Sequence, residues 1–98
     1  MAKYVTLISW TEQGVSSYAD TVKRAEAGKE LAARLGGRLT SVLWTLGPYD
    51  LVVMGEFPND EAATAAMLAL SAAGNVRTTT MRAFDSDEIA AIVAMAKG

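Results

Sequence analysis

Neither cysteine nor histidine occurs among the 98 residues. The first absence excludes a disulfide frame and a thiol nucleophile. The second removes the usual ligands of zinc, copper and haem, and the usual general base. The remaining carboxylates show no EF-hand spacing, so neither a metal nor another cofactor is expected. An excess of either charge is also missing: 9 Lys and Arg stand against 11 Asp and Glu, a net charge of -2. That balance is a poor match to phosphate backbones, and no nucleic-acid partner is expected. No apolar run is long enough to cross a bilayer, and Met1 to Val5 is strand-like rather than leader-like, so no membrane association and a cytoplasmic location are expected. Only two prolines occur, with no linker or low-complexity stretch, which fits one domain over residues 1–98.

What the chain has in quantity is apolar side chains, 51% of its residues. That is rich for so short a domain and points to apolar surface reserved for a partner. Tyr4 to Trp10 alternates β-branched and aromatic residues and reads as a strand. Thr11 is a candidate N-cap for a helix carrying Val15, Tyr18, Val22, Ala25, Ala32 and Leu35 at helical spacing, with Leu31 flanking them. Lys23, Arg24, Glu26, Lys29, Glu30 and Arg34 fill its other side, Gly14 and Ser16-Ser17 weaken its first turn, and Gly36-Gly37 ends it. Arg38 to Leu46 and Tyr49 to Phe57 read as antiparallel strands joined at Gly47-Pro48. Asn59 caps a second helix running to Gly74, and Asn75 to Phe84 reads as a fourth strand. Asp85 with Glu88 forms a capping box for a last helix whose apolar side is Ile89, Ile92, Val93 and Ala96.

The order βαββαβ followed by a helix is the ferredoxin-like split βαβ pattern, an α+β fold with a four-stranded antiparallel sheet and two helices on one face. Alternate residues of a strand face opposite ways. Tyr4, Thr6, Ile8 and Trp10 therefore oppose Val5 and Leu7. Val42, Trp44 and Leu46 oppose Leu39 and Leu43, and Tyr49, Leu51, Val53 and Phe57 oppose Val52 and Met54. Two helices cover only one of two apolar faces, and soluble monomers rarely leave such a face bare. A second copy packed sheet to sheet satisfies it, making the chain a homodimer or higher homo-oligomer. The alternative is a C-terminal helix folded over the open face.

The segment Trp44-Thr45-Leu46-Gly47-Pro48-Tyr49-Asp50-Leu51-Val52-Val53 resembles the signature of the GYD-domain family, with Pro48 set between the glycine and Tyr49-Asp50. Tyr4 to Thr11, Phe57-Pro58 with Asp60-Glu61-Ala62, and Gly74 to Thr80 resemble the family as well. The resemblance implies the fold of the dimeric α+β barrels, in which two ferredoxin-like sheets face each other. Its wider fold relatives include cofactor-independent monooxygenases, small isomerases and ligand-sensing domains, which is analogy of fold alone.

Six residues are candidates for a ligand site. Trp10 and Trp44, expected on facing strand positions, would line a pocket for a small apolar or aromatic molecule, or else fill core or interface. Tyr49 and Asp50 offer a phenol and a carboxylate at a pocket mouth, or else serve the turn. Arg77 or Arg82 would hold an anionic group by a forked contact, the other pairing with Glu56 or Asp50, or both are solvated edge charges. The leading expectation is a homo-oligomeric small-molecule-binding domain with an apolar pocket between sheet and helices. A monooxygenase- or isomerase-like enzyme, in which Tyr49 and an arginine stabilise a developing anion, is the first alternative. A structural oligomerisation module without ligand is the second.

Overall fold

Four strands, β1 (Ala2–Trp10), β2 (Arg38–Trp44), β3 (Leu51–Phe57) and β4 (Val76–Ala83), form one antiparallel sheet in the order β2-β3-β1-β4 in the computed structural model, which describes residues 1–98. The helices are α1 (Glu12–Ser16), α2 (Thr21–Arg34), α3 (Asp60–Ala72) and α4 (Ser86–Lys97), with a 3₁₀ turn at Tyr18–Asp20. This is the ferredoxin-like α+β fold. Tyr4, Thr6 and Ile8 of β1 and Leu51, Val53 and Phe57 of β3 are buried under the helices with Ala32, Ala63 and Ala66. Tyr4 and Phe57 meet edge to face at 5.9 Å between ring centres.

The first helical segment is broken where one continuous helix is expected. Ser16 and Ser17 turn their hydroxyls back onto the Gln13 carbonyl, competing with the helical ladder. Arg24, read from the sequence as part of a solvated face, is half-buried and donates to the Gly14 and Ser17 carbonyls that the break exposes. The break changes the helical phase. Val15, Tyr18 and Val22 are exposed, and the sheet-facing side of α2 is Ala25, Gly28, Leu31, Ala32 and Leu35.

A β-bulge corrects a second expectation. Leu39 pairs with Gly55 while Ser41 pairs with Met54, so Thr40 is the extra residue. The shift brings Leu39 onto the helix-covered face with Val42, rather than opposite it. Thr40 bonds the Met54 carbonyl through its hydroxyl at 3.1 Å.

The open face keeps its apolar character. Met54, Val5 and Met81 align across three strands, and Leu43, Val52 and Leu7 form the next row. Arg38, Glu56 and Lys3 make a charged row at one end. The C-terminal helix does not cover this face. Every residue of α4 except Glu88 is exposed, including Ile89, Ile92, Val93 and Met95. The chain measures 52 Å along its longest axis with a radius of gyration of 14.8 Å, against about 12.6 Å for a compact chain of this length.

Charges hold the root of α4. Lys3 Nζ lies 3.2 Å from Asp85 and 3.3 Å from Glu88, and Asp85 and Glu88 complete the capping box. Hydrogen bonds to Asp85, then Glu88, raise the Lys3 pKa. The Glu88 backbone N–H and then Lys3 lower that of Asp85, and the Asp85 backbone N–H and then Lys3 lower that of Glu88.

Two glycines test the packing. A Cβ at Gly14 would lie 2.0 Å from the Asn75 carbonyl oxygen, whereas one at Gly28 would meet only Leu39 Cδ1, at 3.9 Å. Gly28→Ala is expected to gain about 1 kcal/mol of helix propensity, raising the melting temperature by about 4–8 °C. Gly14→Ala is expected to lose about 1–3 kcal/mol by overpacking. Thermal unfolding followed by circular dichroism checks both signs.

The ion pairs predict a pH window for α4. Carboxylates with lowered pKa stabilise the fold above their unfolded values, and the contribution fades as pH falls through the folded ones. Lys3, with a raised pKa, contributes below its unfolded value, and its share is lost as pH rises through the folded one. The root is therefore fully formed from about pH 5 to pH 10 and weakens below about pH 4. Amide exchange should show α4 losing protection at the acid end before the sheet does.

Candidate functional site

Small side chains on both helices leave space above the sheet. One cavity of about 40 Å³ is lined by Tyr4, Ile8, Leu31, Phe57, Ala66 and Met67 among others. A second of about 60 Å³ reaches Trp10, Thr21, Val42 and Leu51. Ile8, Gly28, Leu39, Val53 and Leu70 border both. A cleft of about 200 Å³ between α2 and α3, lined by Ala27, Leu31, Ala69 and Ala73, adjoins them at Gly28 and Leu70. The apolar space expected between sheet and helices is thus present but divided. Its inner cavities are far below the 300 Å³ or more that typical ligand pockets occupy.

The six candidate residues do not converge on it. Trp10 lines the inner cavity, whereas Trp44 is 44% exposed and donates from its indole to Thr21 at 2.9 Å. β3 lies between β1 and β2, so the two tryptophans are not the facing pair the sequence suggests; both approach the start of α2.

Tyr49 and Asp50 precede β3 in the loop that follows β2. The Tyr49 carbonyl accepts from the Thr45 hydroxyl at 2.6 Å. Asp50 stitches the loop to the central strand: its carboxylate accepts the Trp10 N–H at 2.8 Å, and its own N–H donates to the Ile8 carbonyl. This is the structural alternative weighed above, with an N–H of β1 in place of one from its own turn.

Arg77 and Arg82 occupy opposite ends of β4, in register with Ser9 and Tyr4, about 17 Å apart along the strand. Neither pairs with Glu56 or Asp50, since Glu56 takes Arg38 at 3.0 Å. Arg82 is packed over the Phe84 and Tyr4 rings, 4.5 and 5.7 Å from their centres. Its guanidinium donates to the Lys3 and Ala83 carbonyls and lies 3.8 Å from Glu88.

Arg82 also opens onto a polar groove between α3 and β4 that sequence reasoning missed. The groove, of about 460 Å³, is lined by Tyr4, Asp60, Ala63, Thr64, Met67, Thr78, Thr80 and Arg82. Tyr4 donates from its phenol to Asp60 at 2.5 Å. Burial, then the Asp60 bond, raises the Tyr4 pKa, so the phenol remains the donor. Thr80 shares a hydrogen bond with Thr6 at 3.0 Å. The threonine run of β4 carried only β-propensity in the sequence. Its alternate members, Thr78 and Thr80, become a wall of hydroxyls because α3 leaves this edge of the sheet uncovered.

A four-stranded sheet with helices on one face, an apolar cleft beneath them and a polar groove at its edge defines a small ferredoxin-like α+β domain. The chain belongs to the GYD domain family, which it matches over residues 4–93. It is 31% identical over 84 residues to a Thermus thermophilus protein named glutamine synthetase and cystathionine beta-lyase binding protein, with 85% of this chain and 88% of that protein covered. The crystal structure of TTHA0845 from Thermus thermophilus is similar at TM-score 0.57 and 25% identity, covering 88% of this chain and 96% of that one. The feast or famine regulatory protein from M. tuberculosis, complexed with L-methionine, shares the fold at TM-score 0.67 and 16% identity. This chain is 88% covered in that match and spans about half of the regulator, 52%. No helix is long and apolar enough to cross a membrane.

The placement of Asp50 predicts a structural phenotype. Asp50→Ala leaves the Trp10 N–H without its acceptor and is expected to cost about 1–3 kcal/mol of stability. Asp50→Asn, which keeps an acceptor oxygen, should recover most of that loss in chemical denaturation.

Proposed function

We propose that this chain is a homo-oligomeric binding domain whose copies join through the open sheet face. One observation carries the reading: six apolar side chains, Val5, Leu7, Leu43, Val52, Met54 and Met81, occupy neighbouring positions in two cross-strand rows of a face that no helix of the same chain covers. Charges at Arg38, Glu56 and Lys3 bound one end of the patch and Arg77 stands at the other. An apolar centre with a polar rim is the anatomy of a protein interface. Self-association through a two-fold axis would set this face against its own copy. The unpacked apolar side of α4 is available to extend the contact.

In this reading the ligand space is the cleft between α2 and α3 with the small cavities behind it. Their combined lining is mostly apolar, with Trp10 at one end and Arg24 and Asn75 among its few polar members. A small apolar or aromatic molecule fits that chemistry, entering where alanines and Gly28 keep the two helices lightly packed. Tyr49 and Asp50 hold the loop and stand outside the site. A cytoplasmic location suits such a domain.

The Thermus relative's name supports a second reading, in which the partner is another protein. Exposed Val15, Tyr18 and Val22, left over by the helix break, offer a surface for one. Pull-down of glutamine synthetase or cystathionine β-lyase by this chain, lost on Tyr18→Glu, would favour that reading.

Native mass spectrometry of the intact protein tests the first reading. A dimer or larger multiple is expected, with Met54→Glu shifting it to the single-chain mass while the circular dichroism spectrum is kept. Small-molecule mass retained by the wild type supports binding in the cleft. A wild type that runs as a folded monomer at micromolar concentration would overturn the assembly.

A further inference from the structure

We infer that the polar groove between α3 and β4 is a binding site for a small zwitterion of the α-amino-acid type. Its walls carry one charge of each sign. Asp60 stands at the start of α3, and one of its carboxylate oxygens accepts the Tyr4 phenol. Arg82 stands on β4 opposite Tyr4 in the strand register. The Tyr4 side chain touches both charges, hydrogen-bonded to the first through its phenol and 5.7 Å from the guanidinium carbon of the second at its ring centre. Arg82 finds its carboxylate contact in Glu88, at 3.8 Å, rather than in Asp60.

A lone anion in this groove would face Asp60, and a lone cation would face Arg82. A molecule bearing both charges a few ångströms apart answers both, with its ammonium toward Asp60 and its carboxylate toward Arg82. The Thr64, Thr78 and Thr80 hydroxyls lie along the groove for further polar contacts, and Ala63 and Met67 provide an apolar strip for a side chain. The volume of about 460 Å³ holds such a molecule. The groove lies on the helix-covered side of the sheet, so a second copy on the open face leaves it accessible. The inference therefore does not rest on the assembly proposed above.

Calorimetric titration of the intact protein with each of the twenty amino acids, beside the amide and the N-acetyl derivative of any that binds, tests it. At least one free amino acid is expected to bind, with both charge-deleted analogues at least tenfold weaker. Asp60→Asn, which retains an acceptor for Tyr4, and Arg82→Gln should each weaken binding at least tenfold. Thr78→Val, which leaves the charges in place, serves as a second variant and should weaken it less. Met54→Glu should bind as the wild type does, which separates this result from the fate of the assembly. Equal binding of the amide or the N-acetyl compound, or no heat from any of the twenty amino acids at millimolar concentration, would overturn the proposal.

Discussion

Two alanine-rich helices can cover one face of a four-stranded sheet, and this sheet is apolar on two. Most of the other features of the molecule depend on that mismatch. On the covered side the helices approach closely enough to bury Phe57, Tyr4 and Ile8, yet their small side chains leave a divided cleft above the strands. On the other side, Met54, Val5 and Met81 stand in a row with nothing from their own chain above them. The two inner strands, β1 and β3, contribute to both sides, and so their sequences cannot show the apolar-polar alternation of a sheet with one face in water.

The seam around Asn75 shows how the covered side is closed. Thr11 caps α1 by accepting from Gly14, donates to the Gly74 carbonyl at 2.6 Å, and sends its N–H to the Asn75 carbonyl. Gln13 adds bonds to the Ala73 carbonyl and the Asn75 side chain. These contacts satisfy carbonyls that the end of α3 would otherwise leave open. Gly14 is there because the approach is too close for any Cβ. A residue that looks like a weak point of a helix is the one that lets two segments, about sixty positions apart, meet.

Local chemistry was legible from the sequence, and register was not. Asn59 and Asp85 were readable as caps because capping is written in four consecutive residues, and both make the expected bonds. The fold order and the two-faced strands followed from periodicity. The extra residue at Thr40 was invisible because a bulge depends on the partner strand, and missing it put Leu39 on the wrong face. The helix break was half visible in Gly14 and Ser16-Ser17. The sequence did not show that Arg24, ten residues after Gly14, bonds the carbonyls the break exposes. The candidate pocket residues scattered for a related reason: spacing along the chain cannot say that β3 separates Trp10 from Trp44. The groove was the least legible part. Tyr4, Asp60 and Arg82 come from three elements, and only the fold brings them together.

The position of Arg82 links the groove to the part of the molecule that is least packed. The same guanidinium lies over Tyr4 inside the groove and reaches Glu88 at the root of α4. Glu88 in turn shares Lys3 with Asp85. These pairs are partly exposed and individually weak, yet no apolar packing of α4 backs them up. A helix with its apolar side bare is oriented by whatever holds its first turn, so the charges around Lys3, Arg82 and Glu88 direct α4 although they add little to global stability. The open sheet face and the exposed helix are two unpacked apolar surfaces of one chain, and this root fixes where the helix begins. That arrangement suits a chain that completes its packing on another molecule rather than on itself.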